Sequence, residues 1–93
     1  MLFFWLDSVT LAIERVATRV KEGGHNIPVD VIVRRYKGGI RNLFDIYIPV
    51  VDEVLIFDNT MNVPKLIAAK KEKVELSIFD NKIFDKLREN YEG

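Results

Sequence analysis

Ninety-three residues make one small domain, and a chain of that size buries a thin core because a small fold hides a smaller share of its surface. Apolar residues at 48% and charged residues at 30% exclude a disordered chain, and a formal net charge of zero excludes a global field that would draw in nucleic acid or a membrane surface. With no cysteine there can be no disulfide, zinc thiolate or thiol nucleophile, and a cytoplasmic setting is expected.

The first element is the run Met1 to Leu6, "MLFFWL". It is too short to cross a membrane, and it lacks the basic start and small-residue cleavage site of a secretory signal. Its aromatics predict a fully buried strand over 2–6, stopped by Asp7-Ser8. A central strand needs neighbours on both sides, and little sequence precedes this one to supply them. Ser8 then predicts a helix cap. Val9, Ala12, Ile13, Val16 and Val20 follow at helical spacing, and Gly23-Gly24 supplies the stop. Arg15 and Arg19, four apart, share one face, placed away from much of the apolar stripe.

Beyond the loop Gly23, Gly24, His25, Asn26 and Ile27, Pro28 is expected at the first position of a second helix. Asp30 suits the positive end of that helix's dipole. Val29, Ile32, Val33, Tyr36, Ile40, Leu43 and Phe44 keep the period, while Gly38-Gly39 predicts a kink or break. The two helices together span about 8–46, and Pro49 is expected to end the region. "EVLIFDN" (53–59) reads as a second strand, parallel to the first through the helical crossover, with Asp58 and Asn59 at its carboxyl end. "KLIAAKKEKVELSIF" (65–79) reads as a hairpin, and Asp80 or Asn81 caps a last helix through about Tyr91, with Ile83, Phe84 and Leu87 inward. The order strand-helix-helix-strand-hairpin-helix is an α/β pattern in a single domain over 1–93.

Charge is segregated along the chain. Arg15, Arg19, Lys21, Arg34, Arg35, Lys37 and Arg41 face only Glu22 and Asp30 within 15–41; from Asn42 to Pro64 there are acids and no bases. His25 has no second ligand at metal-binding spacing, so a loop-shaping or capping role is the simpler reading, and no metal is expected. No Ser-His-Asp arrangement or nucleophile elbow is present. Asp52, Glu53 and Asp58 read as solvated strand ends, although the carboxyl end of a strand is also where open α/β sheets place ligands. Arg15, Arg19, Arg34 and Arg35 lie on two helices joined by a short loop, so a helical hairpin can bring them together. Their planar guanidinium groups match phosphate oxygens; a merely solvated basic face is the competing reading. Nucleic acid fits less well, since few aromatics interleave with the bases.

R-V-x-x-R-V at Arg15 to Val20, G-G-H-x-I-P at Gly23 to Pro28, R-R-Y at Arg34 to Tyr36, R-N-L at Arg41 to Leu43 and D-N-T at Asp58 to Thr60, behind the opening "LFFWLDS", together resemble the carboxyl-terminal, lid-containing half of the zeta-toxin-like P-loop kinases. The resemblance spans nearly the whole chain. It implies a fragment of a P-loop kinase-like fold in which Arg15, Arg19, Arg34 and Arg35 bind nucleotide or phosphate from a lid, and Gly23, Gly24, His25 and Asn26 shape the loop between the lid helices. Asp58 and Asn59 then stand as polar groups at the sheet's end. A complete member would use ATP and Mg2+ to phosphorylate a small hydroxyl substrate, UDP-N-acetylglucosamine in zeta toxins proper. This sequence departs from the pattern: no G-x-x-x-x-G-K-[ST] occurs in it, so the lysine and hydroxyl that grip phosphate and magnesium are missing, and so is the upstream acid that activates the substrate hydroxyl in zeta toxins. The expectation is a truncated kinase domain, inactive alone and with no cofactor of its own. Its expected partners are a second copy, a separate phosphate-loop half or an antitoxin-like protein. The alternative function is an interaction module that self-associates or docks on another chain.

Overall fold

A computed structural model describes residues 1–72 and 75–92. Four strands form one mixed sheet in the order β1-β2-β3-β4, with β1 (Leu2–Trp5) parallel to β2 (Val54–Asp58), and β3 (Lys65–Lys70) and β4 (Ser77–Ile78) added antiparallel. The parallel pair is joined by helices α1 (Val9–Lys21) and α2 (Val29–Asn42), a π-helical turn (Leu43–Tyr47) and the short α3 (Ile48–Val50). Helix α4 (Asn81–Glu92) closes the described chain. The α/β class, the element order and the parallel first pair agree with the sequence reading. The β3–β4 pair forms the expected hairpin, but its residues 73 and 74 lie outside the described residues.

Side-chain alternation decides which face of the sheet is covered. Trp5 of β1, Val54 and Ile56 of β2, and Ile67 and Ala68 of β3 join Ile40, Leu43, Phe84 and Leu87 in a single buried cluster, with Phe3 and Ile78 packed beside it. A register shift between Ile56 and Phe57 lets the consecutive Ile67 and Ala68 both be buried, as a bulge allows. The opposite face carries Leu2, Phe4, Leu55, Phe57 and Leu66, with Phe4 stacked on Phe57 at 5.2 Å between ring centroids. None of these five belongs to the core, and Leu2 and Phe4 remain 58% and 50% exposed. The expected fully buried, central first strand is therefore corrected. β1 is an edge strand with one covered face, because all the helices that bury apolar side chains pack on the same side.

The helices follow local chemistry. Ser8 caps α1 as expected, its Oγ accepting from the Leu11 N–H at 3.1 Å. Gly23 ends α1 at φ 96°, a left-handed conformation that suits glycine. Pro28 stands one residue before α2 as its cap position. The kink expected at Gly38-Gly39 is absent: α2 runs unbroken through both, although each costs roughly 1 kcal/mol relative to alanine. The irregularity falls later. Pro49 offers no N–H to the Asp45 carbonyl and its ring crowds that group; the π turn widens the helix just ahead of it, and the chain stays helical to Val50 rather than ending at the proline. Asp80 caps α4, its Oδ1 accepting from the Ile83 N–H at 3.1 Å, and Ile83, Phe84 and Leu87 face inward. Phe44 stacks on Tyr91 at 4.7 Å, fixing α4 against the π turn.

The molecule measures 42 × 24 × 22 Å, longer than it is wide. Helix α1, which has no buried residue, packs chiefly on α2. Among the described residues no helix is long and apolar enough to cross a membrane.

Candidate functional site

Parallel strands β1 and β2 both point their carboxyl ends toward the α1–α2 hairpin. A cleft of about 420 Å³ opens between them, within the size range of small-molecule sites. Its floor is apolar, built from Phe4, Leu6, Ala12, Val16, Ile27 and Ile32. Its polar groups are Arg15, Arg19, Arg35, Tyr36 and Asn59. Helical spacing explains the grouping: Ala12, Arg15, Val16 and Arg19 fall at i, i+3, i+4 and i+7 on α1, and Ile32, Arg35 and Tyr36 repeat the pattern on α2. Arg15 and Arg19 thus lie with part of the apolar stripe, a correction to their expected placement away from it.

Three of the four arginines expected to act together line this cleft; Arg34 does not. It follows Val33 on α2 and is exposed, since neighbouring helical residues point about 100° apart. Among the described residues the ion pairs are Lys65–Asp80 and Arg88–Asp85, so none of the four arginines is matched by a carboxylate. Arg15 is committed elsewhere: its Nη2 donates to the Thr60 carbonyl at 2.8 Å. Thr60 Oγ1 in turn accepts from the Asp7 N–H at 3.1 Å and donates to Asp58 Oδ1. The Asp58 carboxylate also accepts from the Thr60 N–H at 3.1 Å. Asp58 therefore folds the β2 turn and, through Thr60, fixes Arg15 to the end of the sheet.

Tyr36 is the second tie between hairpin and sheet. Its hydroxyl donates to the Leu6 carbonyl at 2.6 Å. Burial pushes the phenol above its ordinary value, with the Trp5 indole N–H nearby opposing and Asp7 reinforcing the shift. Trp5 Nε1 is itself buried and finds no acceptor at hydrogen-bonding geometry. Asn59 Oδ1 is likewise buried without a partner. Asn59 lines the cleft; its Oδ1, closed to solvent, would have to turn outward to accept from a ligand, and an unpaired buried acceptor is costly.

The loop residues expected to shape the hairpin sit at its tip. Gly24 takes a position where a Cβ would come within 2.8 Å of the Arg19 carbonyl oxygen, so the turn requires a glycine. His25 and Asn26 are exposed and do not line the cleft. Among the described residues no three His, Cys, Asp or Glu side chains cluster so as to hold a metal ion. Sequence reasoning missed the cleft roles of Phe4, Ile27 and Tyr36, and the tie through Thr60. The sequence marked Tyr36 by its place in the apolar period of α2 and after two arginines, and nothing marked its bond to Leu6.

No protein-family model, no curated protein and no solved structure matches the chain.

Proposed function

We propose that this domain binds a small phosphate-bearing molecule in the cleft between the α1–α2 hairpin and the carboxyl ends of β1 and β2, as the anion-gripping lid of a phosphotransferase-type domain. The observation that carries the reading is the convergence of Arg15, Arg19 and Arg35 on one apolar-floored cleft with no carboxylate paired to them. Arg19 and Arg35 are the residues for the phosphate: guanidinium groups grip phosphate oxygens two at a time. Arg15 holds the cleft's wall to Thr60 and adds its charge. The apolar floor suits a ring or base, and Asn59 Oδ1, turned outward, suits a hydroxyl or amino donor on the ligand. A nucleotide has all three features, which agrees with the kinase resemblance of the sequence.

Phosphoryl transfer is a separate matter. It depends on positioning by a phosphate loop and metal, and the 93 residues contain no such loop. The basic cleft fits the phosphates of ATP. We therefore expect binding without turnover. A steady release of ADP from ATP above blank, lost in Arg35→Ala, would contradict this.

Calorimetric titration with ADP, pyrophosphate and adenosine tests the reading. ADP should bind most tightly, and raised salt should weaken it. Arg19→Gln and Arg35→Gln should each reduce affinity about tenfold or more, the scale of one lost charge-assisted hydrogen bond, while Arg34→Gln leaves it unchanged. Equal losses at Arg34 and Arg35 would instead mean a diffuse basic surface.

A further inference from the structure

The free edge of β1 is unusually open for a soluble sheet. Met1 and Trp5 accept from Leu55 of β2 and from Asn59 just past its end, both at 2.8 Å. In a parallel ladder main-chain groups alternate between the two sides, so those of Leu2 and Phe4 face away from β2, where among the described residues no strand pairs with them. The same two residues have half-exposed side chains. Residues 2–6 include no proline or charge, and the β1–β2 register is continuous, so the usual devices that protect an edge are missing. The opposite edge differs: β4 is two residues long and flanked by Glu75 and Asp80.

A second, independent observation lies beside this edge. A groove of about 200 Å³ runs along β1, lined by Trp5, Leu6, Tyr36, Gly39 and Ile40 among others. Gly39 sits within an unbroken helix, has no positive φ, and has nothing within 4 Å of where a Cβ would stand. Among the described residues no contact calls for glycine there, as none does at Gly38, but of the two only Gly39 lines the groove. Something approaching α2 from the groove would call for it.

We propose that the occupant is a second copy of this chain, its β1 pairing antiparallel with β1 across a two-fold axis. The register is self-complementary: Leu2 of each copy lies opposite Phe4 of the other, their outward main-chain groups exchange hydrogen bonds, and the two Phe3 residues meet at the axis. The α2 helices then approach each other at Gly39, on the covered side of the joined sheet. A net charge of zero sets up no overall repulsion between copies. Arg35, the one charged residue bordering the groove, lies a helical turn from Gly39, so the axis sends the two copies of it to opposite ends. Leu2, Phe4 and Met1, at 58%, 50% and 41% exposed, together with the groove offer on the order of 400 Å² per copy, given roughly 150–250 Å² for a fully buried aromatic. Twice that is below the usual size of a stable interface, so the pairing is a weak, concentration-dependent dimer.

Sedimentation velocity of the full chain across a wide concentration range, with hydrogen exchange at its two ends, tests the proposal. The weight-average mass should rise toward that of two chains, and the Leu2 and Phe4 amides should gain protection as it does. Gly39→Leu should leave the monomer folded, since the site is open and leucine favours helix, yet weaken the dimer at least tenfold. Leu2→Lys should do the same through the edge, and Gly38→Ala should not. A monomer at every concentration, or a dimer indifferent to both Gly39→Leu and Leu2→Lys, would overturn the proposal.

Discussion

The body of this domain and its hairpin are held by different kinds of force. In the body, Trp5, Ile40, Leu43, Val54, Ile56, Ile67, Ala68, Phe84 and Leu87 form one apolar cluster, and α1 contributes nothing to it. Of the hairpin, α2 enters that cluster through Ile40, while its outer part leans on Ile32, which is 8% exposed, and on two hydrogen bonds that reach the sheet, from Arg15 to Thr60 and from Tyr36 to Leu6. Regions with few buried apolar contacts open at lower free energy than the core. On that ground α1 and the tip of the hairpin are expected to open before the core does.

Truncating each region's apolar anchor should separate them most sharply. Ile56→Ala should cost about 2–5 kcal/mol of global stability, the range for a buried isoleucine, read as a lower urea midpoint. Ile32→Ala should cost less and act mainly through faster amide exchange in α1. Equal global losses would mean that body and hairpin unfold as one unit. A smaller effect is expected from Arg15→Lys, which keeps the charge but loses the fork geometry needed to reach the Thr60 carbonyl. It should remove about 1 kcal/mol, the worth of one hydrogen bond, and loosen α1 in hydrogen exchange without moving the core. If core amides lose protection equally, Arg15 supports the fold as a whole.

The smallest expected effect belongs to the body and sharpens the contrast through pH. The hydrogen bond from Lys65 at 2.6 Å, helped by the Ile83 N–H, holds the Asp80 carboxyl below its ordinary value. A carboxyl whose folded value is depressed stabilises above its unfolded value, and that stability is lost as pH falls through the folded one. The melting temperature should therefore drop on acidification below about pH 4, the ordinary aspartate range. Asp80→Asn should shallow that slope while sparing the hairpin, whereas parallel slopes for the two proteins would remove Asp80 from the account.

The sequence revealed the body's order because each element carried a local signal: the aromatic run at β1, the Ser8 cap, the periodicity of α2, and Ile83, Phe84 and Leu87 on α4. It failed where the outcome depends on which side of the sheet receives helices. "LFFWL" reads as buried on both faces, yet all the covering helices choose the face of Phe3 and Trp5, leaving Leu2 and Phe4 outside. Gly38-Gly39 and Pro49 misled in opposite directions, since α2 tolerates the glycines and a widened turn absorbs the proline. At the cleft, the arginines of the lid pattern were legible from their spacing. Their division of labour was not: Arg15 is tied down by a carbonyl 45 residues away, and Arg34 is excluded by helical phase alone.

The most direct test of the central reading is a titration of isotope-labelled protein with ADP, followed by the backbone amides of Leu6, Val16, Tyr36 and Asn59 and the side-chain Nε–H groups of Arg19 and Arg35. The account predicts saturable shifts at these positions with a single affinity, and little change at Arg34, His25 or α4. Shifts spread over Arg34, Lys37 and Arg41, or none beyond what salt alone produces, would contradict it.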